Sequence, residues 1–183
     1  MSNRCWFVNA QGQCQSLGIP KLDRAHPYRL HRFLTELEDL SCQLHDEPAL
    51  LQALAPRFLA LIQGSPWLGS VLTPPDPQVG WSAVLLYDEP DYPFTLQTVV
   101  WAPGQGSPVH GHGTWAMVAL MAGQQEHRFW QQAADQLTPT GTCTLAAGDV
   151  LLMSSTTCHQ VNVSPGSPAI SLNLYGPGGV GGY

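Results

Sequence analysis

From residue 81 onward the chain is cut into short pieces by glycine, and no other feature limits its fold as strongly. Gly104, Gly106, Gly111, Gly113, Gly123, Gly141, Gly148 and Gly166 punctuate runs of β-branched, aromatic and aliphatic residues. Short runs of this kind, closed by turn formers, read as strands, because such side chains suit a pleated, half-buried surface. The predicted strands cover 81–87, 95–102, 107–112, 114–121, 125–130, 142–146, 149–153, 158–163 and 168–175. Strands this short and evenly spaced point to a jelly-roll barrel rather than an open sheet. The composition agrees: 18 Gly and 16 Pro in 183 residues supply turns, and 44% hydrophobic residues supply one core.

Before residue 65 the pattern is helical. Leu30, Phe33, Leu34, Leu37, Leu40 and Leu44 recur every three or four residues, which predicts an amphipathic helix over 26–45. A second helix is predicted from an N-cap at Asp46, with Pro48 in its first turn and Leu50, Leu51, Leu54, Phe58, Leu59 and Ile62 before Gly64. Pro56 is expected to kink or split it. The stretch TPPDPQVG, residues 73–80, cannot be regular structure. The fold class expected is mainly β, with a two- to three-helix N-terminal segment. One domain is expected over 1–183: a helical segment and linker at 1–79, a barrel at 80–177 and a flexible tail at 178–183.

Several function classes are excluded on charge and patterning. The formal net charge is -6 and no run of Lys or Arg occurs, so the footprint of a nucleic-acid or anionic-membrane binder is missing. The opening MSNRCWFVNAQGQCQS lacks a signal peptide's apolar stretch, and no segment approaches the roughly 18 to 20 apolar residues of a membrane span. A cytoplasmic protein is expected. Cys5, Cys14, Cys42, Cys143 and Cys158 are odd in number and contain no C-x-x-C pair, which points to reduced thiols.

The chemistry is concentrated in three histidines. His110 and His112 are two apart in an extended segment, so both imidazoles leave one face of a strand. His159 follows GDVLLMSSTTC, where Gly148-Asp149 reads as a turn, and an antiparallel barrel can bring this later strand beside the first. Three neutral imidazoles with open coordination positions suit iron, zinc, copper or nickel. His26, His31, His45 and His127 are read as surface or satisfied core residues.

The stretch GQGSPVHGHGTWAMVALMAG resembles the first cupin motif and GDVLLMSSTTCHQVNV the second. Many cupins place a Glu four or five residues after the second His; here those positions hold Ala116 and Met117, leaving a site of three histidines. With YPFTLQTVVWAPGQGSPVHGH before it and AISLNLYG after it, the region from about 80 to 177 is similar to the thiol dioxygenases. That family contains cysteine dioxygenase and bacterial mercaptopropionate dioxygenase. The resemblance implies a cupin double-stranded β-helix in which His110, His112 and His159 hold non-haem Fe(II). It also implies that both atoms of O2 are added to a thiol sulfur, giving a sulfinate. The run from His110 through His112 to Trp115 follows the mercaptopropionate-type form. The cysteine that crosslinks to tyrosine in animal enzymes falls at Ala116, so no thioether cofactor is expected.

The chain departs from that family at several positions. The Asp between the two ligand histidines is Gly111. The second-sphere pattern S-x-H-x-Y reads Ser171, Asn173, Tyr175, and Asn hydrogen-bonds but cannot transfer a proton near neutral pH. The Arg or Gln that takes the substrate carboxylate falls at Ala83, with Trp81 where a tyrosine stands in the family. A buried carboxylate without a cationic or multi-donor partner is costly, so a neutral or larger, apolar substrate is expected. Ser171, Asn173 and Tyr175 are the catalytic candidates implied, with Trp81, Trp115, Met117 and Arg128 as candidates for the substrate pocket. The expected reaction uses O2 and a small molecule, with zinc or nickel as alternative metals. A homodimer is expected only at the level of the fold. The alternatives are a zinc or nickel hydrolase, isomerase or lyase, and a cupin that binds a small ligand without turnover.

Overall fold

The strands after residue 80 close into two facing sheets whose strand order identifies the architecture. The structure is a computed structural model describing residues 4–19, 27–87, 89–133 and 136–179. Among the described residues the strands are β1 (Cys5–Val8), β2 (Cys14–Leu17), β3 (Trp81–Tyr87), β4 (Thr95–Trp101), β5 (His110–Gly111) and β6 (Ala116–Ala122). They continue with β7 (Gln124–Ala133), β8 (Gln136–Ala146), β9 (Val150–Met153), β10 (Cys158–Val163) and β11 (Ala169–Tyr175). One sheet runs β2-β1-β9-β6-β11-β4-β3 and the other β5-β10-β7-β8. With β1, β2 and β3 set aside, the remaining strands form two antiparallel sheets in the orders 4-11-6-9 and 5-10-7-8, which is the strand order of a jelly roll.

Burial explains how each strand reads in sequence. The larger sheet is covered on both faces. Its outer face packs Leu96, Met117, Ala119, Val150, Leu152, Leu172 and Leu174 against Phe33, Leu37, Leu51, Leu54, Phe58 and Leu61 of the helices. Its inner face packs Val99, Trp101, Ala116, Val118, Leu151, Met153 and Tyr175 against Phe129, Leu145 and Val163 of the smaller sheet. Strands covered on both sides carry near-continuous apolar runs, as AMVALMA and VLLM do. The smaller sheet has one solvated face, and β10 alternates accordingly, with His159, Val161 and Val163 buried.

The helices are α1 (Leu30–Gln43) and α2 (Glu47–Gly64), followed by a 3-10 turn at Pro66–Ser70. Asp46 caps α2, its carboxylate accepting from Ala49 N at 3.0 Å, a contact of the kind that contributes about 1 kcal/mol. Pro56 does not split α2, which continues through it with Pro56 buried. Of the expected first helix, residues before 27 lie outside the described residues, as do 180–183 of the expected tail.

Two strands precede the helices where none was expected. β1 pairs in parallel with β9, and β2 folds back on β1 as a hairpin edge. Arg4 fastens this addition: its guanidinium donates to the buried Asp149 carboxylate at 2.6 Å, and Asp149 also accepts from Arg4 N and Ala146 N. Gly123 turns the chain from β6 in one sheet to β7 in the other. Its φ is 77°, and a Cβ there would lie 2.3 Å from the Pro168 carbonyl oxygen, so the position excludes every other residue.

Candidate metal centre

Three histidines from two adjoining strands and the loop after them converge inside the barrel. β5 pairs with β10 so that His110 stands opposite His159, and His112 follows just past the end of β5. The expected strand over 107–112 is therefore reduced to two residues, with the chain before and after it held by other contacts. Ser107 contributes to these, its Oγ accepting from Val161 N at 2.9 Å. The candidate ligand atoms of His110, His112 and His159 all lie within 4.8 Å of one another. His159 is 1% exposed and His112 9%.

The proton positions follow from the hydrogen bonds. Gln125 Oε1 can only accept, so His127 Nε2–H donates to it at 3.2 Å. His127 is neutral, its pKa pushed down to about 3 by burial and then by His110 and His112, so its Nδ1 bears a lone pair. His159 Nδ1–H donates to that lone pair at 3.2 Å. Burial first, and then His127, hold the pKa of His159 well below the usual imidazole value, so it too is neutral and its Nε2 bears a lone pair. At the other edge, His110 Nδ1–H donates to the Pro108 carbonyl at 3.0 Å, which leaves the lone pair on Nε2. Burial lowers the His110 pKa more than that bond raises it.

This arrangement fits a metal ion. His112 Nε2 and His159 Nε2 are 3.1 Å apart. Metal–imidazole bonds of about 2.0–2.1 Å place neighbouring ligand nitrogens roughly 3.0–3.4 Å apart, so the pair already has the spacing of two ligands on one ion. Two lone pairs at this distance repel unless a proton or a cation lies between them. The donor set is three imidazole nitrogens without a carboxylate, which suits a borderline divalent transition metal.

The larger sheet supplies the opposite wall. Ser171, Asn173 and Tyr175 alternate along β11 onto the face that looks into the barrel, and all three are buried. The Tyr175 ring lies 4.7 Å from the His112 ring, and Asn173 Nδ2 donates to Tyr175 Oη at 3.0 Å. Trp81 is partly buried on edge strand β3, its ring 6.1 Å from Trp101 on the same inner face.

Three of the expected pocket residues lie elsewhere. Met117 is on the outer face of β6 and is fully buried among the helix-facing residues, because alternation from Ala116 and Val118 turns it away from the histidines. Trp115 belongs to the same helix-side cluster, 6.0 Å from Phe94. Arg128 points out of the smaller sheet between inward His127 and Phe129; its side chain is 52% exposed and pairs with Glu126 at 2.6 Å. It is a solvated strand arginine rather than a substrate anchor. His31 and His45 are exposed, and His26 lies outside the described residues.

Sequence reading passed over Gln97 and Gln125, and took His127 only as a surface or satisfied core residue, which it is, without its link to His159. The signal for the last two was present: Gln125, His127 and Phe129 recur every second residue, so if Phe129 faces the core the two polar residues do as well. Gln97 interrupts the apolar run TLQTVVW.

No protein-family model matches the chain. Solved structures with a similar fold include oxalate oxidase in complex with the substrate analogue glycolate, with 18% identity and a TM-score of 0.49. That match covers 65% of this chain and 63% of the other. A cupin superfamily protein from Desulfitobacterium hafniense matches with 12% identity and a TM-score of 0.47, over 61% of this chain and 88% of the other. A protein from Thermus thermophilus matches with 19% identity and a TM-score of 0.48, over 60% and 93%. At these identities the likeness concerns fold alone, and the strand order of the two sheets is what identifies the jelly roll.

Proposed function

We propose that this chain is a non-haem iron-dependent dioxygenase related to the thiol dioxygenases, oxidising a small thiol or related molecule with O2. The observation that carries the reading is the convergence of three imidazoles, without a carboxylate, beside a buried tyrosine. An Fe(II) ion held by His110, His112 and His159 would supply open positions for a thiolate and O2, and would favour the thiolate by lowering the thiol's pKa.

The chain's own residues then have separable tasks. His127 and Gln125 fix which nitrogen of His159 faces the centre. Tyr175 Oη accepts from Asn173 Nδ2, which fixes the position of the hydroxyl while its ring lies against His112. Among the described residues no Lys or Arg is buried, so the interior favours an uncharged substrate body.

The test is to load the anaerobically purified protein with Fe(II) and measure O2 consumption against cysteine, mercaptopropionate, cysteamine and carboxylate-free thiols. Uptake with one thiol, matched by sulfinate and abolished in His159→Ala, is expected. An iron-loaded protein that consumes no O2 with any thiol overturns the thiol reading. Asn173 favours a second reading, a zinc or nickel cupin or a ligand-binding cupin, because an amide cannot take the place of a proton-transferring histidine. Native zinc, with no oxygen chemistry after exchange for iron, would select it.

A further inference from the structure

The inner face of the larger sheet carries a polar group of its own, across from the histidines of the smaller sheet. Gln97 on β4 stands directly opposite Asn173 on β11, and Ser171 is the next residue on that face. Directly opposed residues of an antiparallel pair have Cβ atoms about 5 Å apart, so the three side chains form one patch. Gln97 is 6% exposed, and Ser171 and Asn173 are each 1% exposed. Gln97 Nε2, Ser171 Oγ and Asn173 Oδ1 are nevertheless buried without a hydrogen-bond partner among the described residues.

Such groups are uncommon in a folded interior, because a buried donor or acceptor left unmade has given up its hydration for nothing in return. Here they share one face of one sheet, two strands wide, and surrounding positions on that face are apolar: Val99, Trp101 and Val118. The patch continues into Tyr175 through the Asn173 amide, and Tyr175 lies against His112. It therefore borders the histidine centre from the sheet side.

We propose that Gln97, Ser171 and Asn173 form a subsite for the body of the substrate, which recognises an uncharged group that both accepts and donates hydrogen bonds, such as a primary carboxamide. The inference rests on the reading that the substrate's sulfur meets a metal at the three histidines. Two amides and a hydroxyl offer donors and acceptors but no net charge. A carboxamide can satisfy both kinds, whereas a carboxylate can only accept, leaves the amide and hydroxyl acceptors unmet, and finds no buried Lys or Arg among the described residues to pair with it. Gln97 then takes the part of a specificity residue on β4, one strand inward from Ala83.

The experiment compares 3-mercaptopropionamide with 3-mercaptopropionate, which differ in charge but hardly in size. Both are titrated anaerobically into protein loaded with Co(II), with thiolate-to-cobalt absorption as the signal for binding. The carboxamide is expected to bind about tenfold or more tightly than the carboxylate. In Gln97→Met, which keeps the side chain's length, that ratio is expected to fall toward one while Co(II) absorption without thiol is unchanged. Equal binding of the two thiols by the unaltered protein, or an undiminished ratio in Gln97→Met, overturns the subsite and leaves the metal centre standing. Failure to bind Co(II) at all overturns the metal centre itself, and the subsite with it.

Discussion

The imidazoles of His127 and His159 meet edge to edge in nearly one plane, Nδ1 facing Nδ1 at 3.2 Å. Their planes differ by 7° and their centroids are 5.4 Å apart. The centroid distance exceeds the nitrogen separation by about the two ring radii, so the contact is an in-plane hydrogen bond and not a face-to-face stack. Because Gln125 fixes the proton of His127 at the far side, the chain Gln125, His127, His159 runs in one direction and ends in a lone pair at His159 Nε2. Partners of this kind orient a ligand histidine and raise its basicity.

His127→Phe is therefore expected to weaken metal binding by about 10- to 100-fold while keeping the barrel filled. His127→Asn, whose side-chain oxygen can accept from His159 Nδ1–H, is expected to recover part of the loss. Competition with a chelator of known affinity measures both. If the Phe and Asn variants bind metal equally well, the His127 contact is packing alone.

The same buried imidazoles make the metal-free protein sensitive to acid. His127 titrates near 3, and His110 and His159 lie below the usual imidazole value of about 6.5. The unfolded chain takes up protons at these residues first, so the stability they allow is full above about pH 6.5 and is lost as pH falls through that value toward 3. Each such histidine steepens the loss by up to about 1.4 kcal/mol per pH unit. Denaturant unfolding of the metal-free protein between pH 7.5 and 5 should show the decline, with a smaller slope in His127→Phe. An equal slope in that variant would contradict the burial of a neutral His127.

Much of the architecture was legible because local physics and tertiary packing agree there. The predicted strands 81–87 and 158–163 coincide with β3 and β10, since Gly80 marks the start of the one and Pro165 follows the end of the other. The three histidines were legible from H-x-H and a later His beyond a turn. β1 was not, because CWFV is only four residues long and its parallel partner β9 is some 145 residues away, so nothing local distinguishes it from a loop. The hairpin signal was present in NAQG, with Gly12 at a φ of 70°, but a lone hairpin does not reveal which sheet it joins. The facing of single residues was hardest to read. Ala116, Met117 and Val118 are all apolar and all buried, and only the presence of helices on one side and histidines on the other separates their roles.

Met117 tests that separation. Packed among helix residues, it should act through volume alone: Met117→Ala is expected to cost about 2–5 kcal/mol of stability and leave metal affinity and thiol preference within twofold. Thermal unfolding and Co(II) titration measure the two effects. A changed thiol preference in a variant that still folds would return Met117 to the pocket.

Tyr175→Phe separates the tyrosine's chemistry from its packing. The ring remains against His112, so metal affinity should not change, whereas the hydroxyl that Asn173 Nδ2 bonds is lost. Removing it leaves a buried amide donor unpaired, which is expected to cost about 1–3 kcal/mol and to lower the melting temperature by several degrees. If the hydroxyl donates to the reacting group, kcat with the active thiol should fall by about a hundredfold or more at saturating metal. Asn173→Ala removes the same hydrogen bond but keeps the hydroxyl, and kcat is compared at saturating thiol, where the loss of Asn173 from the proposed subsite is read in KM instead. A kcat loss confined to Tyr175→Phe assigns the proton to catalysis. Equal losses in the two variants mean that the Asn173–Tyr175 bond serves to hold the barrel wall, and that the tyrosine has no chemical part.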